Sequence, residues 1–114
     1  MHELAITQAV VDAVVEQVGG ARIGDARITA VHLRIGRVSG VVPDAVRFCF
    51  DLVAAGTPVA GARLEIDEPP GVGCCNSCGA VFAVEDLLLG CRCGSTDVRV
   101  RGGDDLVVTA VEVA

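Results

Sequence analysis

The chain has 114 residues, a length that suits one domain with or without a small insert. Hydrophobic residues make up 52% of it, which argues against disorder, and only 3% are aromatic, so its core would consist of aliphatic side chains. The net charge is −6 and no segment concentrates arginine, which argues against nucleic-acid binding because that function needs a basic surface.

The N-terminal segment has neither the cationic start of a signal peptide nor the unbroken apolar run of a membrane span. Glu3, Asp12 and Glu16 interrupt its apolar residues. We therefore expect a cytoplasmic protein, whose thiols stay reduced. Six cysteines in a reducing compartment are more often metal ligands or redox groups than structural disulfides.

Two helices are predicted in the first half of the chain. Apolar residues recur every three or four positions over residues 3–18, which predicts a helix that ends at Gly19-Gly20. Pro43 suits the first position of a second helix, because its fixed φ is helical, and Gly56 ends this helix. The second helix has a broad apolar side, and Cys49 within it is predicted to be a buried structural residue.

Three strands are predicted from alternation and β-branched residues. The first covers residues 28–35 and places His32 on its polar face. The second covers residues 62–68, where apolar and charged side chains alternate. The third covers residues 106–113, in which most positions are β-branched.

The predicted order is helix, strand, helix, strand, cysteine-rich insert and strand. Three strands covered by two helices form a small two-layer α+β domain, which we place at residues 1–70 and 102–114. The insert, residues 71–101, is predicted to form a separate zinc-ribbon-like lobe.

Two short cysteine hooks lie in the insert. The first contains Cys75 and Cys78, and the second, after a gap of twelve residues, contains Cys91 and Cys93. Such hooks can place four thiolates tetrahedrally around Zn²⁺. Because the second hook has a single residue between its cysteines, Cys74 remains an alternative ligand in place of one of the four. A site closed by four sulfurs leaves no open position, so this zinc is predicted to be structural.

The first three residues place several nitrogen donors close together. The α-amine of Met1, the amide nitrogen of His2 and its imidazole can chelate one metal ion through adjacent rings. The amide nitrogen of Glu3, or a ligand from elsewhere, can complete a square plane. Nitrogen donors in that geometry favour Ni(II) or Cu(II). On these residues alone, an incidental histidine and a glutamate that compensates the helix dipole are the simpler interpretation.

Short segments spread over nearly the whole chain change that interpretation. They are Met1-His2-Glu3-Leu4, Val31-His32-Leu33-Arg34-Ile35-Gly36, Ser39-Gly40-Val41-Val42-Pro43, Phe48-Cys49-Phe50, Gly56-Thr57, Leu64-Glu65-Ile66, Cys75-x-x-Cys78-Gly79, Cys93-Gly94-Ser95 and Val111-Glu112-Val113. In their order and spacing the chain resembles the HypA/HybF family of nickel metallochaperones for hydrogenase maturation.

The resemblance implies a protein that binds Ni(II) transiently at its N-terminus and holds Zn(II) structurally with its four hook cysteines. His2 would be the side-chain ligand of nickel. Met1 and Glu3 would contribute backbone nitrogens, and Glu3 would also tune the site or a partner contact. The implied recipient is the precursor of the [NiFe]-hydrogenase large subunit, the implied partner is a HypB-type GTPase, and some relatives also serve urease.

Two other functions remain open at this point. A zinc-ribbon adaptor for protein–protein contacts would keep the cysteines but would not need His2. A redox protein would use the same cysteines for electron transfer or thiol exchange. The chain has neither a nucleophile elbow nor a phosphate-binding loop, so it is predicted not to be an enzyme. His32 is expected to be structural or exposed, and it would become an accessory nickel ligand only if the fold brought it near Met1.

Overall fold

The computed structural model describes residues 2–20 and 27–114. The elements in chain order are α1 (Glu3–Gly20), β1 (Ile28–Ile35), α2 (Pro43–Ala54), β2 (Arg63–Asp67), β3 (Gly71–Cys75), β4 (Val81–Val84), β5 (Val98–Arg101) and β6 (Leu106–Val113). The predicted α+β fold, a three-stranded sheet with two helices and an inserted lobe, is confirmed. Neither described helix combines the length and the apolar content needed to cross a bilayer.

The larger sheet has the strand order β2-β1-β6. Strand β1 pairs in parallel with β2 and antiparallel with β6. Parallel neighbours need a crossover connection, and α2 supplies it. This order leaves β2 and β6 as the two edges of the sheet.

Both helices cover the same face of this sheet and form the core with it. Leu33 and Ile35 of β1 are almost fully buried, together with Val11 of α1 and Val46 and Phe50 of α2. Side chains alternate across a strand, so the polar residues between these positions point to the opposite, outer face. The core is almost entirely aliphatic, as the composition predicts.

The buried side of α2 is narrower than its sequence suggests. Val46, Phe50 and Ala54 are buried, whereas Phe48 is 72% exposed and Leu52 is 63% exposed. Only the stripe that faces α1 and the sheet is covered, because a helix in a two-layer fold packs on one side. The prediction that Cys49 is buried is wrong in degree, since this cysteine is half-buried.

The cysteine-rich segment forms a second antiparallel sheet of three short strands with the order β4-β3-β5. Among its side chains, Cys75 and Val84 are buried. So small an apolar core cannot hold a lobe by itself, which is the usual reason for a structural metal. The limits of this lobe at residues 71 and 101 stay a prediction.

The two sheets meet at a junction of closely packed backbone. The N–H groups of the loop after β1 donate to both connecting segments: Gly36 to the Asp105 carbonyl at 2.8 Å, Arg37 to Pro69 at 2.9 Å and Val38 to Gly103 at 2.8 Å. Gly103 has φ +76°, and a Cβ there would lie 2.6 Å from the Cα of Gly71. Only glycine fits a left-handed position with backbone this close.

Candidate metal centres

The four hook cysteines converge at one point. The Sγ atoms of Cys75, Cys78, Cys91 and Cys93 all lie within 4.8 Å of one another. Cys75 and Cys93 are separated by 3.7 Å and Cys78 and Cys91 by 3.5 Å. Four sulfurs at about 2.3 Å from a tetrahedral zinc are about 3.8 Å apart. The donor set and its spacing therefore fit Zn²⁺.

Tight turns aim each hook at this point. The first follows β3, where the Gly79 N–H donates to the Cys75 carbonyl at 2.9 Å, and in the second the Gly94 N–H donates to Cys91 at 2.9 Å. Gly79 and Gly94 have φ of 79° and 94°, a region that glycine adopts at no steric cost. Each glycine thus reverses the chain immediately after its cysteine pair.

Polar contacts between the hooks hold them together. The Ser77 hydroxyl donates to Ser95 Oγ at 2.9 Å. The Asn76 side-chain amide donates to the Asp97 carboxylate at 3.0 Å, and its backbone N–H donates to the Asp97 carbonyl at 2.9 Å. Sequence reasoning missed these four residues, although polar residues beside each hook were a usable signal.

Backbone N–H groups favour the ionised form of one cysteine. The Cys78 N–H lies 3.5 Å from the Cys75 sulfur. This contact, followed by the N–H of Ser77, lowers the pKa of Cys75 to about 6 although burial opposes the shift. The surrounding backbone thus favours the thiolate form of Cys75.

Crowding has the opposite effect on two other cysteines. The Ala80 N–H lowers the pKa of Cys78, but the neighbouring sulfurs, Cys91 first, raise it to about 12. The Ser95 N–H likewise lowers the pKa of Cys93, and the neighbouring sulfurs raise it above its usual value. Several thiolates this close need a cation between them, and a divalent metal supplies it.

Cys74 does not belong to this cluster. It pairs in register with Val81 and Arg99, and alternation along β3 points its side chain away from that of Cys75. It lines a separate cavity with Val72 and Val81. Among the described residues, the four hook cysteines form the single group with metal-ligand spacing.

The N-terminal site begins with an exposed histidine. His2 is exposed, and its carbonyl accepts the Ile6 N–H at 2.9 Å, so it occupies the cap position of α1. Met1 lies outside the described residues. The imidazole of His2 therefore stands in solvent at the beginning of a well-anchored helix.

Glu3 anchors the start of α1. The residue is only 6% exposed, and its Oε2 accepts a hydrogen bond at 3.1 Å from the N–H of Val42, the residue just before α2. The chain's α-amino group and then this N–H lower the pKa of Glu3 to about 2. Sequence reasoning assigned this carboxylate to the helix dipole and to tuning. It did not foresee that Glu3 connects the starts of both helices.

His32 is held on the outer face of the larger sheet. Its Nε2 lies 2.5 Å from Glu112 Oε2, and the same oxygen lies 3.3 Å from Arg63. The contact with His32 is the main reason that the pKa of Glu112 is lowered. Because α1 covers the other face, the sheet separates His32 from Glu3. This placement argues against a role for His32 as an accessory nickel ligand.

The fold and these sites describe a small metal-binding protein with a four-cysteine lobe and an exposed N-terminal histidine. A family model described as "Hydrogenase/urease nickel incorporation, metallochaperone, hypA" matches residues 1–113. The chain belongs to this HypA family.

Curated relatives and solved structures agree with that assignment. A "Hydrogenase maturation factor HypA" of Geobacter sulfurreducens is 47% identical over 99% of both chains. A protein of the same description from Nostoc sp. is 42% identical over 99% of this chain and 96% of its own.

Among solved structures, "Solution structure of the Ni metallochaperone HypA from Helicobacter pylori" matches with a TM-score of 0.62 and 23% identity, covering 98% of this chain and 97% of that one. "Solution structure of HypA protein" matches with a TM-score of 0.65 and 21% identity, covering 100% and 97%. These two similarities support the fold.

Proposed function

We propose that this protein is a nickel metallochaperone that binds Ni(II) at its N-terminus and delivers it during maturation of [NiFe]-hydrogenase. His2 contributes its imidazole and amide nitrogen, Met1 its α-amine, and Glu3 a backbone nitrogen. The observation that carries the proposal is an exposed His2 placed directly before the buried, hydrogen-bonded Glu3. The Glu3 carboxylate fixes the start of α1 and leaves the His2 imidazole exposed.

An open terminal site suits a carrier. Four nitrogen donors around Ni(II) form a square plane whose two faces stay accessible. A recipient can therefore begin to coordinate the ion before the carrier releases it. A closed, buried cage would hold nickel too firmly for transfer.

The four hook cysteines have the opposite character, and we propose that they hold structural zinc. Four thiolates leave no position for another ligand. Metal binding at such a site supplies folding free energy to a lobe with little apolar core, on the order of 10 kcal/mol for structural zinc sites. Zinc would therefore fix the lobe and take no part in the transfer.

The proposed recipient is the hydrogenase large-subunit precursor, and the proposed partner is a HypB-type GTPase. The descriptions of the Geobacter and Nostoc relatives support a hydrogenase rather than another nickel enzyme. The alternative is an adaptor whose cysteine lobe binds other proteins while the N-terminus carries no metal. The two functions differ in whether His2 matters.

Nickel titration of two histidine variants tests the proposal. We expect His2→Ala to weaken nickel binding at least about tenfold, which corresponds to 1.4 kcal/mol. Its zinc content, measured by elemental analysis, should stay at one ion per chain. His32→Ala is the matched control and should bind nickel as the unaltered chain does. Equal nickel binding by His2→Ala and the unaltered chain would support the adaptor instead.

A maturation assay separates nickel binding from delivery. In a host that lacks its own HypA, the unaltered chain should restore hydrogenase activity and His2→Ala should not. A residue or tag placed before Met1 should weaken nickel binding as well, because it removes the α-amine. Full restoration by His2→Ala would contradict the delivery role.

A further inference from the structure

Strand β5 forms one edge of the sheet in the cysteine lobe. It pairs with β3 on one side, and in the part of the chain that the structure describes no strand pairs with its other side. Just before β5, the Asn76 N–H donates to the Asp97 carbonyl at 2.9 Å. Because bonded and non-bonded pairs alternate along an antiparallel ladder, Val98 and Val100 direct their N–H and C=O groups away from β3. The Val98 N–H bonds to the Thr96 carbonyl at 3.0 Å, so Val100 is the residue that can exchange both of its bonds with an added strand.

Two arginines of β5 lie on one face of this sheet. Arg99 is in register with Cys74 and Arg101 with Val72, so both side chains share the face on which Cys74 lies. Both arginines are exposed, and neither has an ion-pair partner within residues 2–20 and 27–114. In a chain with a net charge of −6, these two arginines give the edge a local positive charge.

An apolar cavity lies beside the two arginines. It has a volume of about 490 Å³, and both arginines line it together with Val72, Cys74 and Val81. Val72 is 50% exposed and Val81 is 70% exposed. The methylene groups of a glutamate can pack on such a surface while its carboxylate pairs with a guanidinium. The face therefore suits a side chain that is aliphatic along its length and anionic at its end.

The sequence of β5 disfavours a second copy of the same strand as the occupant of this edge. Directly opposed residues in a sheet point to the same face, and the positions of β5 on the Cys74 face are both arginine. Antiparallel self-pairing of β5 therefore sets arginine opposite arginine, which is destabilising. Charges on an edge strand are a common protection against such pairing. The same charges attract a segment of opposite sign.

We propose that β5 binds an extended acidic segment of a partner protein, which adds a fourth strand to the sheet of the cysteine lobe. Two acidic residues of the segment, two positions apart, stand opposite Arg99 and Arg101, and the apolar residue between them stands opposite Val100. Backbone hydrogen bonds supply affinity in such strand addition, and the alternating side chains supply specificity. The contact involves neither His2 nor Glu3, so it does not depend on nickel binding.

A synthetic peptide tests the proposal on the zinc-loaded full chain. The probe is the end-blocked peptide Ser-Thr-Glu-Val-Glu-Val-Thr-Ser, and its matched control has glutamine in place of both glutamates. In NMR titrations with peptide at up to about 1 mM, the amide signals of residues 98–101 should shift. The glutamate peptide should bind at least about fivefold more tightly than the control, because it alone forms the two opposite-charge pairs. Equal binding of the two peptides, or no shift with either, would overturn the proposal.

Amide hydrogen exchange distinguishes an added strand from a charge contact on the face alone. As the glutamate peptide is added, the exchange rate of the Val100 N–H should fall in proportion to the fraction of unbound chain, because this group donates to the peptide. Unchanged exchange of the Val100 N–H in the complex would overturn strand addition. So would slow exchange that appears without peptide as the protein concentration rises, because a second copy would then cover the edge.

Charge reversal tests whether Arg99 pairs with the segment directly. Arg99→Glu should weaken binding of the glutamate peptide at least about tenfold, because it replaces an attractive cross-strand pair with a repulsive one. A peptide with lysine in place of both glutamates should bind this variant more tightly than it binds the unaltered chain. Arg27→Glu is the matched control, since Arg27 is an exposed arginine of the other sheet and the change in charge is the same. Equal losses in the two variants would overturn the site, because net charge alone would then govern binding.

Two further measurements keep the outcomes separate. If Arg99→Glu does not retain its zinc, comparison of the glutamate and glutamine peptides on the unaltered chain still decides the proposal. Nickel titration of Arg99→Glu should match that of the unaltered chain. A loss of nickel binding in this variant would contradict the independence of the two contacts, whereas a failure of peptide binding leaves the nickel site unaffected.

Discussion

Gly103→Ala tests how the two sheets are joined. Gly103 is buried with φ +76°, and its new Cβ would lie 2.6 Å from the Cα of Gly71. The left-handed conformation costs a non-glycine residue about 1–2 kcal/mol. Relief of the overlap requires the two connecting segments to separate, which adds about 1–3 kcal/mol. Separation also stretches the hydrogen bond from the Val38 N–H to the Gly103 carbonyl.

The neighbouring Gly102→Ala is the control. Gly102 has φ +71°, but a Cβ there would meet no atom within 4 Å. This variant should lose only the backbone contribution of about 1–2 kcal/mol, and Gly103→Ala should lose about 2–5 kcal/mol. For a chain of this length, each kcal/mol corresponds to a melting temperature shift of about 4 °C. Urea unfolding of the zinc-loaded proteins, followed by circular dichroism, measures the difference. Equal losses in both variants would refute the close-packed junction.

Further predictions concern the cysteine cluster and the core. Cys75→Ser should lose zinc, whereas Cys74→Ser should retain one ion per chain, as elemental analysis would show. At pH 7 zinc binding should release at least about two protons, because the raised pKa values of Cys78 and Cys93 keep both protonated without metal. Zinc affinity should therefore rise with pH. Titration calorimetry in buffers of different ionisation enthalpy measures the number of protons released per zinc ion, and a value below one would contradict this prediction. Leu33→Ala should lower the free energy of unfolding by about 2–5 kcal/mol, since Leu33 is 1% exposed; a loss below about 1 kcal/mol would contradict its place in the core.

The sequence predicts the larger sheet well because its strands have clear patterns. The observed bounds of β1 and β6 equal the predicted ones, and β2 is one residue shorter at each end. The three strands of the cysteine lobe were missed. They have four or five residues each and two glycines interrupt β3, so no periodic pattern develops. Contacts between the hooks and pairing with neighbours fix them, and neither is visible in a local window of sequence.

The candidate sites were predictable to different degrees for a physical reason. The spacing of the cysteines predicts which four sulfurs converge, because few residue types ligate zinc and the short hooks restrict where their cysteines can lie. The choice between Cys74 and Cys75 needed the structure, since it depends on which face of β3 each side chain takes. The burial of Glu3 was also out of reach, because its partner Val42 is thirty-nine positions away in the chain.

The loop after β1 connects the supports of both proposed metal sites. Its first residues, 36–38, bind the two segments that lead to and from the cysteine lobe. Its last residue, Val42, donates the N–H that holds the Glu3 carboxylate. The position of His2 therefore depends on a loop that is also bound to the segments on either side of the cysteine lobe. A carrier needs accessible donors on a defined support, because a freely moving terminus would spend much of its time in positions unsuited to chelation. Here the His2 imidazole stays in solvent, and the order of its support comes from the remainder of the fold.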